Sequence, residues 1–550
     1  MAASSSSCAR AHHLLSVLAL LAAAFSVTAA SSSANGGGSV IVAVGKKSAV
    51  LSLRELEWAA AARKIRGRYA QPMQAQILEF TPAIVLSEFL ISTYTLVPIS
   101  SSPGEHKKAE SARRAATVLK LKQHLPTTIR SQPAGTERYL TRLLAADEAR
   151  AASLQLPRAA STQSGSGRGQ AVAEVPLTSG IRFQTLNYVT TIALGGESAG
   201  AVANFTVIVD TGSDLTWVQC KPCRYCYSQQ DPLFDPTGSA TYAALPCNAS
   251  ACAASLKDAT GAPGTCARSG SGSERCYYAL AYGDGSFSRG VLATDTVGLG
   301  GASLEGFVFG CGLSNRGLFG GTAGLMGLGR TELSLVSQTS SRFGGVFSYC
   351  LPATTSGDST GSLSLGRGDS SAYRNTTPVA YTRMIADPAQ PPFYFMNITG
   401  ATVGGAAVTA SGLGARNVLI DSGTVISRLA PSVYHAIRAE FTLQFGAGTR
   451  YPAAPGFSIL DTCYNLTGLD EVKVPLLTLQ LEGGADVTVD PAGMLFMVRK
   501  DGSQVCLAMA SLPYEDQMPI IGNYQQKNKR VVYDTVGSRL GFADEDCSYI

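Results

Sequence analysis

Histidine is scarce in this chain: 5 in 550 residues, at positions 12, 13, 106, 124 and 435. A hydrolase built on a Ser-His or Cys-His pair would have to draw its base from His435 unless the front end supplied it. His435 sits in PSVYHAIRAE, whose spacing predicts a surface helix. The zinc-protease motif H-E-x-x-H is absent. Charged residues make up only 15% of the chain, and no cysteine falls between residues 31 and 219. The apolar run Leu14 to Val27 is too short to span a bilayer comfortably. What is plentiful is glycine, at 58 residues, with 45% hydrophobic residues and recurring short runs of Val, Thr, Ser and Tyr. That composition excludes a disordered or collagenous chain and favours many short strands joined by tight turns.

Charge is unevenly placed. Residues 1 to 170 carry 20 Lys and Arg against 9 Asp and Glu, whereas residues 171 to 550 carry 24 against 30. The basic front end has almost no aromatic interleaving of the kind that stacks bases, so no nucleic-acid partner is expected. Arg10, the apolar run and the small residues Thr28 to Ser31 read as a secretory signal over residues 1–30, with an organelle transit peptide as the competing reading. Residues 31–169 read as a basic propeptide-like segment. It contains two candidate amphipathic helices, Ala109 to His124 and Thr136 to Leu154, and ends in the Ser- and Gly-rich linker Ser161 to Gln170. This segment is expected to lie across the cleft and hold the acidic body inactive near neutral pH, then to let go as carboxylates protonate, with a folding aid of accidentally basic composition as the competing reading.

The 13 cysteines are Cys8, within the signal, and Cys220, Cys223, Cys226, Cys247, Cys252, Cys266, Cys276, Cys311, Cys350, Cys463, Cys506 and Cys547. An even set confined to the body of an exported chain reads as a disulfide framework, although its pairing cannot be taken from spacing. Cys220, Cys223 and Cys226 have zinc-knuckle spacing, but without a histidine nearby and among such dense cysteines the disulfide reading is preferred, and no metal or cofactor is expected. Of five Asn-x-Ser/Thr sequons, Asn248, Asn375, Asn397 and Asn465 are candidate glycosylation sites, while Asn204 leads straight into an apolar run.

The body carries an internal repeat. Ile208-Val209-Asp210-Thr211-Gly212-Ser213 recurs as Leu419-Ile420-Asp421-Ser422-Gly423-Thr424, and each copy is trailed by an apolar-apolar-Gly element, Leu325-Met326-Gly327 or Ile520-Ile521-Gly522. A repeat this long indicates two similar lobes, each contributing one loop. A strand ending on an inward carboxylate is costly unless that group is hydrogen-bonded, and the neighbouring hydroxyls and glycine supply donors and a tight turn. Two such loops facing across a pseudo-twofold axis bring Asp210 and Asp421 together. Close carboxylates share a proton, so one acts as base and the other as acid.

These motifs, with Trp217 beyond the first aspartate and Tyr282-Gly-Asp-Gly-Ser, resemble the pepsin-like aspartic proteases over residues 180–550. The cysteine-dense stretch Cys220 to Cys276 and the twelve body cysteines are similar to the atypical plant branch typified by nepenthesin. The resemblance implies an all-β bilobal fold, with an N-terminal lobe over 170–370, a C-terminal lobe over 371–550 and the active-site cleft between them. It implies Asp210 and Asp421 as catalytic, and Tyr282 at a flap tip bonded by Trp217. It places Gly212, Ser213, Gly423 and Thr424 beside them in contact with substrate. The implied function is a secreted zymogen of an aspartic endopeptidase that meets a polypeptide substrate and its own propeptide. The chain is read as a monomer without a stable membrane anchor. Apoplast or vacuole is the expected destination, with plastid as the alternative, and a catalytically silent binding protein of the same fold is the competing function.

Overall fold

A computed structural model describes residues 48–52, 133–155, 171–195, 203–268, 274–282, 285–353, 360–367, 376–445 and 451–548. The chain divides into Met1–Lys46, outside the described residues, and Lys47–Ile550, to which everything below belongs. The signal, the candidate helix Ala109 to His124, the linker Ser161 to Gln170 and Asn375 also lie outside the described residues.

The apolar runs form strands because both of their faces are covered. Strand Ala203–Asp210 is buried continuously from Phe205 to Asp210, as expected of a strand inside a layered core rather than on a half-solvated face. It pairs antiparallel with Tyr188–Leu194 and parallel with Gly324–Gly327, where Met326 stands opposite Val209. Gly324–Gly327 is therefore the strand beneath the first aspartate loop. The second lobe repeats the arrangement: Asn417–Ile420 pairs parallel with Ile520–Ile521, with Ile420 opposite Ile521.

The strands form a 15-stranded sheet, an 8-stranded sheet and a 4-stranded sheet, with a separate pair in which Ser48–Ser52 adds antiparallel to Glu471–Pro475. The fold is bilobal and mostly β, as the repeat implies. Its lobes are not strictly sequential, however. The last strands, Lys529–Asp534 and Arg539–Asp544, return to the large sheet, where Lys529–Asp534 pairs with Val346–Cys350. The disulfide Cys350–Cys547 fixes that return.

All twelve body cysteines are oxidised. Cys220–Cys311, Cys223–Cys226, Cys247–Cys266 and Cys252–Cys276 staple the first lobe, and Cys463–Cys506 staples the second. The sulfur atoms of Cys247, Cys252 and Cys266 lie within 4.8 Å of one another, but each is committed to a disulfide and none is a thiolate ligand. Among the described residues, no helix is long and apolar enough to cross a membrane. Asn248 and Asn465 are exposed, Asn397 is half-buried, and Asn204 is exposed although its strand is not.

Candidate active site

Each repeated loop solvates its own aspartate in the same way. Gly212 N–H donates to Asp210 Oδ1 at 3.0 Å and Ser213 Oγ to Asp210 Oδ2 at 2.6 Å. Gly423 N–H donates to Asp421 Oδ1 at 2.8 Å and Thr424 Oγ1 to Asp421 Oδ2 at 2.6 Å. Both carboxylates are fully buried, and these donors are what makes that burial tolerable. Ser213 and Thr424, expected beside the substrate, spend their hydroxyls on the aspartates.

The residues between each aspartate and its glycine tie the lobes together. Ser422 N–H donates to Thr211 Oγ1 at 2.9 Å, Thr211 N–H to Ser422 Oγ at 3.1 Å, and Ser422 Oγ to Val209 O at 3.0 Å. The glycines then allow each loop to approach the opposite carboxylate. A Cβ on Gly423 would stand 2.2 Å from Asp210 Oδ1, and one on Gly212 would stand 2.7 Å from Asp421 Oδ1. No side chain fits there without pushing the pair apart.

Trp217 and Tyr282 meet as the resemblance implies. Trp217 Nε1 donates to the Tyr282 hydroxyl at 2.9 Å. Tyr282 follows strand Glu274–Ala281, whose Ala281 pairs with Phe287 of strand Phe287–Leu299, and its ring meets Phe319 edge-on at 5.6 Å. Burial, reinforced by the negative charge of Asp210, pushes the Tyr282 phenol up, so it stays protonated across the acid and neutral range. Tyr282 lines the same cavity as Arg150, Ile208, Phe319 and Leu325.

The sequence predicts a helix over Thr136 to Leu154, and the structure has one at Pro133–Ser153, lying in this cleft. Leu140, Leu143 and Leu144 pack with Val425, Ile426, Leu460, Phe496 and Tyr524. Ala151 and Leu154 pack with Phe393, Phe395, Leu419 and Ile520, the last two on the strand that leads into the second aspartate loop and on its parallel partner. Gln155 finishes the segment by pairing with Met518: its Nε2 donates to Met518 O at 2.9 Å, while Met518 N–H donates to its Oε1. At the other end, Arg499 Nε lies 3.5 Å from Glu137 Oε1.

Arg150 was not singled out from the sequence, yet it is the centre of the site. Its Nη2 donates to Asp210 Oδ1 at 2.7 Å and to Asp421 Oδ2 at 3.0 Å, and its Nε donates to Asp421 Oδ2 at 3.2 Å. One guanidinium nitrogen thus bridges the two carboxylates, within 3.0 Å of an oxygen of each. Burial works to lower the Arg150 guanidinium, but the two carboxylates overcome it and hold it above its ordinary value. Burial pushes the Asp210 carboxyl up, Arg150 pulls it down, and the like charge of Asp421 pushes it up again, with a net rise.

Asp147, one turn earlier on the helix, was also missed. Its Oδ1 accepts from Val425 N–H at 2.6 Å and its Oδ2 from Ile426 N–H at 3.1 Å. Arg428 Nη2 completes the set at 2.9 Å from Asp147 Oδ2. The available signal was two charges on the face that helical periodicity assigns to Leu140, Leu143, Leu144, Ala151 and Leu154.

Comparison with known proteins agrees with this geometry. Residues 188–367 match the family model described as xylanase inhibitor N-terminal, and residues 393–544 match its C-terminal counterpart. The chain is similar to an aspartyl protease family protein of Arabidopsis thaliana, at 41% identity over 68% of this chain and 75% of that one. It is also similar to aspartic proteinase nepenthesin-1 of Nepenthes gracilis, at 36% identity over 62% of this chain and 75% of that one. Among solved structures, basic 7S globulin from soybean covers 69% of this chain and 99% of its own at 19% identity, with a TM-score of 0.52, a likeness of fold alone.

Proposed function

Because the chain belongs to the pepsin-like plant aspartic protease family, we propose that it is the latent precursor of an endopeptidase that hydrolyses peptide bonds with water held between Asp210 and Asp421. The observation that carries this reading is Arg150 Nη2 at 2.7 and 3.0 Å from the two carboxylates. With the helix gone, a water takes that place. The ionised carboxylate accepts its proton as it attacks the scissile carbonyl, and the protonated partner donates to the carbonyl oxygen. The tetrahedral diol then collapses, its C–N bond breaking as the carboxyl that took the water's proton passes it to the leaving nitrogen, and no covalent bond to the enzyme forms. Both aspartates and their hydroxyl donors are present, which favours turnover over a silent binding role.

Acid acts on the helix through two contacts. Burial raises the Asp210 carboxyl and Arg150, paired with its ionised form, lowers it, so the Arg150 contribution to docking is lost as that carboxyl takes up a proton at falling pH. At Asp147 burial raises the carboxyl, whereas Arg428 and the two amides, which donate to its ionised form, lower it, so acid has opposing effects on this contact. Release in acid therefore requires the loss at the pair to exceed any gain at Asp147. The six disulfides support export through an oxidising compartment, and the exposed sequons at Asn248 and Asn465 fit glycosylation on that route.

The test compares the intact folded chain with the same chain cut between Gln155 and Ala171 and exposed to acid, on a denatured protein at about pH 4. The cut chain is expected to cleave and the intact chain to stay inert. Equal activity of the two would count against latency, and inactivity of both against the peptidase.

A further inference from the structure

Asp147 occupies a built carboxylate site. Two successive amides, Val425 N–H and Ile426 N–H, donate to its two oxygens at 2.6 and 3.1 Å, and the Arg428 guanidinium donates at 2.9 Å. Arg428 is 2% exposed and is held in place by its own bond from Nη1 to Ile426 O at 2.8 Å. These donors belong to the body, whereas their acceptor belongs to the helix. When the helix leaves, a guanidinium and two amide donors lose the carboxylate that satisfied them. An arginine so placed keeps its charge and its planar fork, and an uncompensated cation beside a cleft is an attractive site for the next anion to arrive.

The site is also close to the chemistry. Val425 and Ile426 follow Thr424, the residue that donates to Asp421. Asp147 precedes Arg150 by three residues on a helix, which separates them by about 4.5 Å along the axis. An extended peptide rises about 3.3 Å per residue, so its side chain reaches the same donors from a residue about one or two positions from the scissile bond.

We propose that Arg428, with the Val425 and Ile426 amides, forms an anion-binding subsite that selects an aspartate or glutamate side chain of the polypeptide substrate, and that Asp147 is its occupant in the intact chain. This rests on the peptidase reading above. Asp147 is then more than a structural ion pair: it holds in the precursor the place that a substrate carboxylate holds during turnover.

The test uses the cut, acid-treated chain and peptides with one scissile bond. Glu is walked one position at a time across both sides of that bond, each peptide having a matched Gln member, at about pH 5 where free carboxyls are largely ionised. The expected result is a preference in kcat/KM for Glu over Gln of about 10- to 100-fold at one position, the range for a hydrogen bond to a charged group. Arg428→Gln should bring that ratio close to one, and Arg428→Lys should retain part of it. The wild-type ratio alone decides the matter if either variant fails to fold. Cleavage with equal rates for Glu and Gln at every position overturns the subsite and leaves the peptidase standing. Failure to cleave any peptide overturns the peptidase reading and the subsite with it.

Discussion

Asp210→Asn in the cut, acid-treated chain is expected to lower kcat on a denatured protein by about 10³-fold, within the range for losing a positioned acid or base. The substitution keeps the shape of the side chain. Gly212 N–H can still donate to the amide oxygen, and Ser213 Oγ, 2.6 Å from the other position, can turn from donor to acceptor. The fold and the cross-lobe bonds between Thr211 and Ser422 should therefore survive. What is lost is the shared proton: an amide cannot be the base for water, and it leaves Asp421 without a like charge to hold a proton between them. Kinetics and circular dichroism on the same preparation check this. Full activity in a folded Asp210→Asn chain would place the chemistry elsewhere.

The second large effect is expected without any cut. Arg150→Gln removes the cation from between two fully buried carboxylates. Breaking a buried ion pair by removing one partner costs about 3 kcal/mol or more, which corresponds to about a 100-fold weaker hold of the helix. The apolar contacts of Leu140, Leu143, Leu144, Ala151 and Leu154 remain, as does the Asp147–Arg428 pair. The helix should thus loosen rather than leave. The intact Arg150→Gln chain is expected to show hydrolysis at about pH 5, well above that of the intact wild type, and Asp210→Asn in the same background should abolish it. An intact Arg150→Gln chain as silent as the wild type would mean that the apolar contacts and the Asp147–Arg428 pair suffice to keep the cleft closed.

The two findings differ in how far the sequence could announce them. Asp210 and Asp421 were legible because the same local pattern occurs twice, with its apolar strand, glycine and hydroxyls. The parallel partners Gly324–Gly327 and Ile520–Ile521 were legible for the same reason. Trp217 and Tyr282 followed from the resemblance, and their hydrogen bond is in place. The helix at Pro133–Ser153 was legible as an amphipathic segment. Arg150 was not, because its partners lie 60 and 271 residues away and an arginine on a helix is by default a solvated charge. The bond from Arg428 to Asp147, 281 residues apart, is hidden in the same way.

The roles of Ser213 and Thr424 were blurred by a different cause. A hydroxyl three residues past an aspartate can serve the carboxylate or the substrate, and only the loop geometry decides. The disulfide pairing, and the return of Lys529–Asp534 to the first sheet, are properties of topology rather than of local pattern.

The most direct test of the carboxylate pair is the pH profile of hydrolysis by the cut, acid-treated chain, scanned on a denatured protein from about pH 2.5 to 7.5. Burial and the like charge of Asp421 act to raise Asp210, and loss of Arg150 removes the largest of the influences that oppose them, leaving the Ser213 and Gly212 hydrogen bonds. Hydrolysis is expected to peak on the acid side and to fall as pH rises and the pair loses its shared proton. A profile that rises through neutrality, or a folded and fully cut chain that cleaves nothing at any pH, would contradict it.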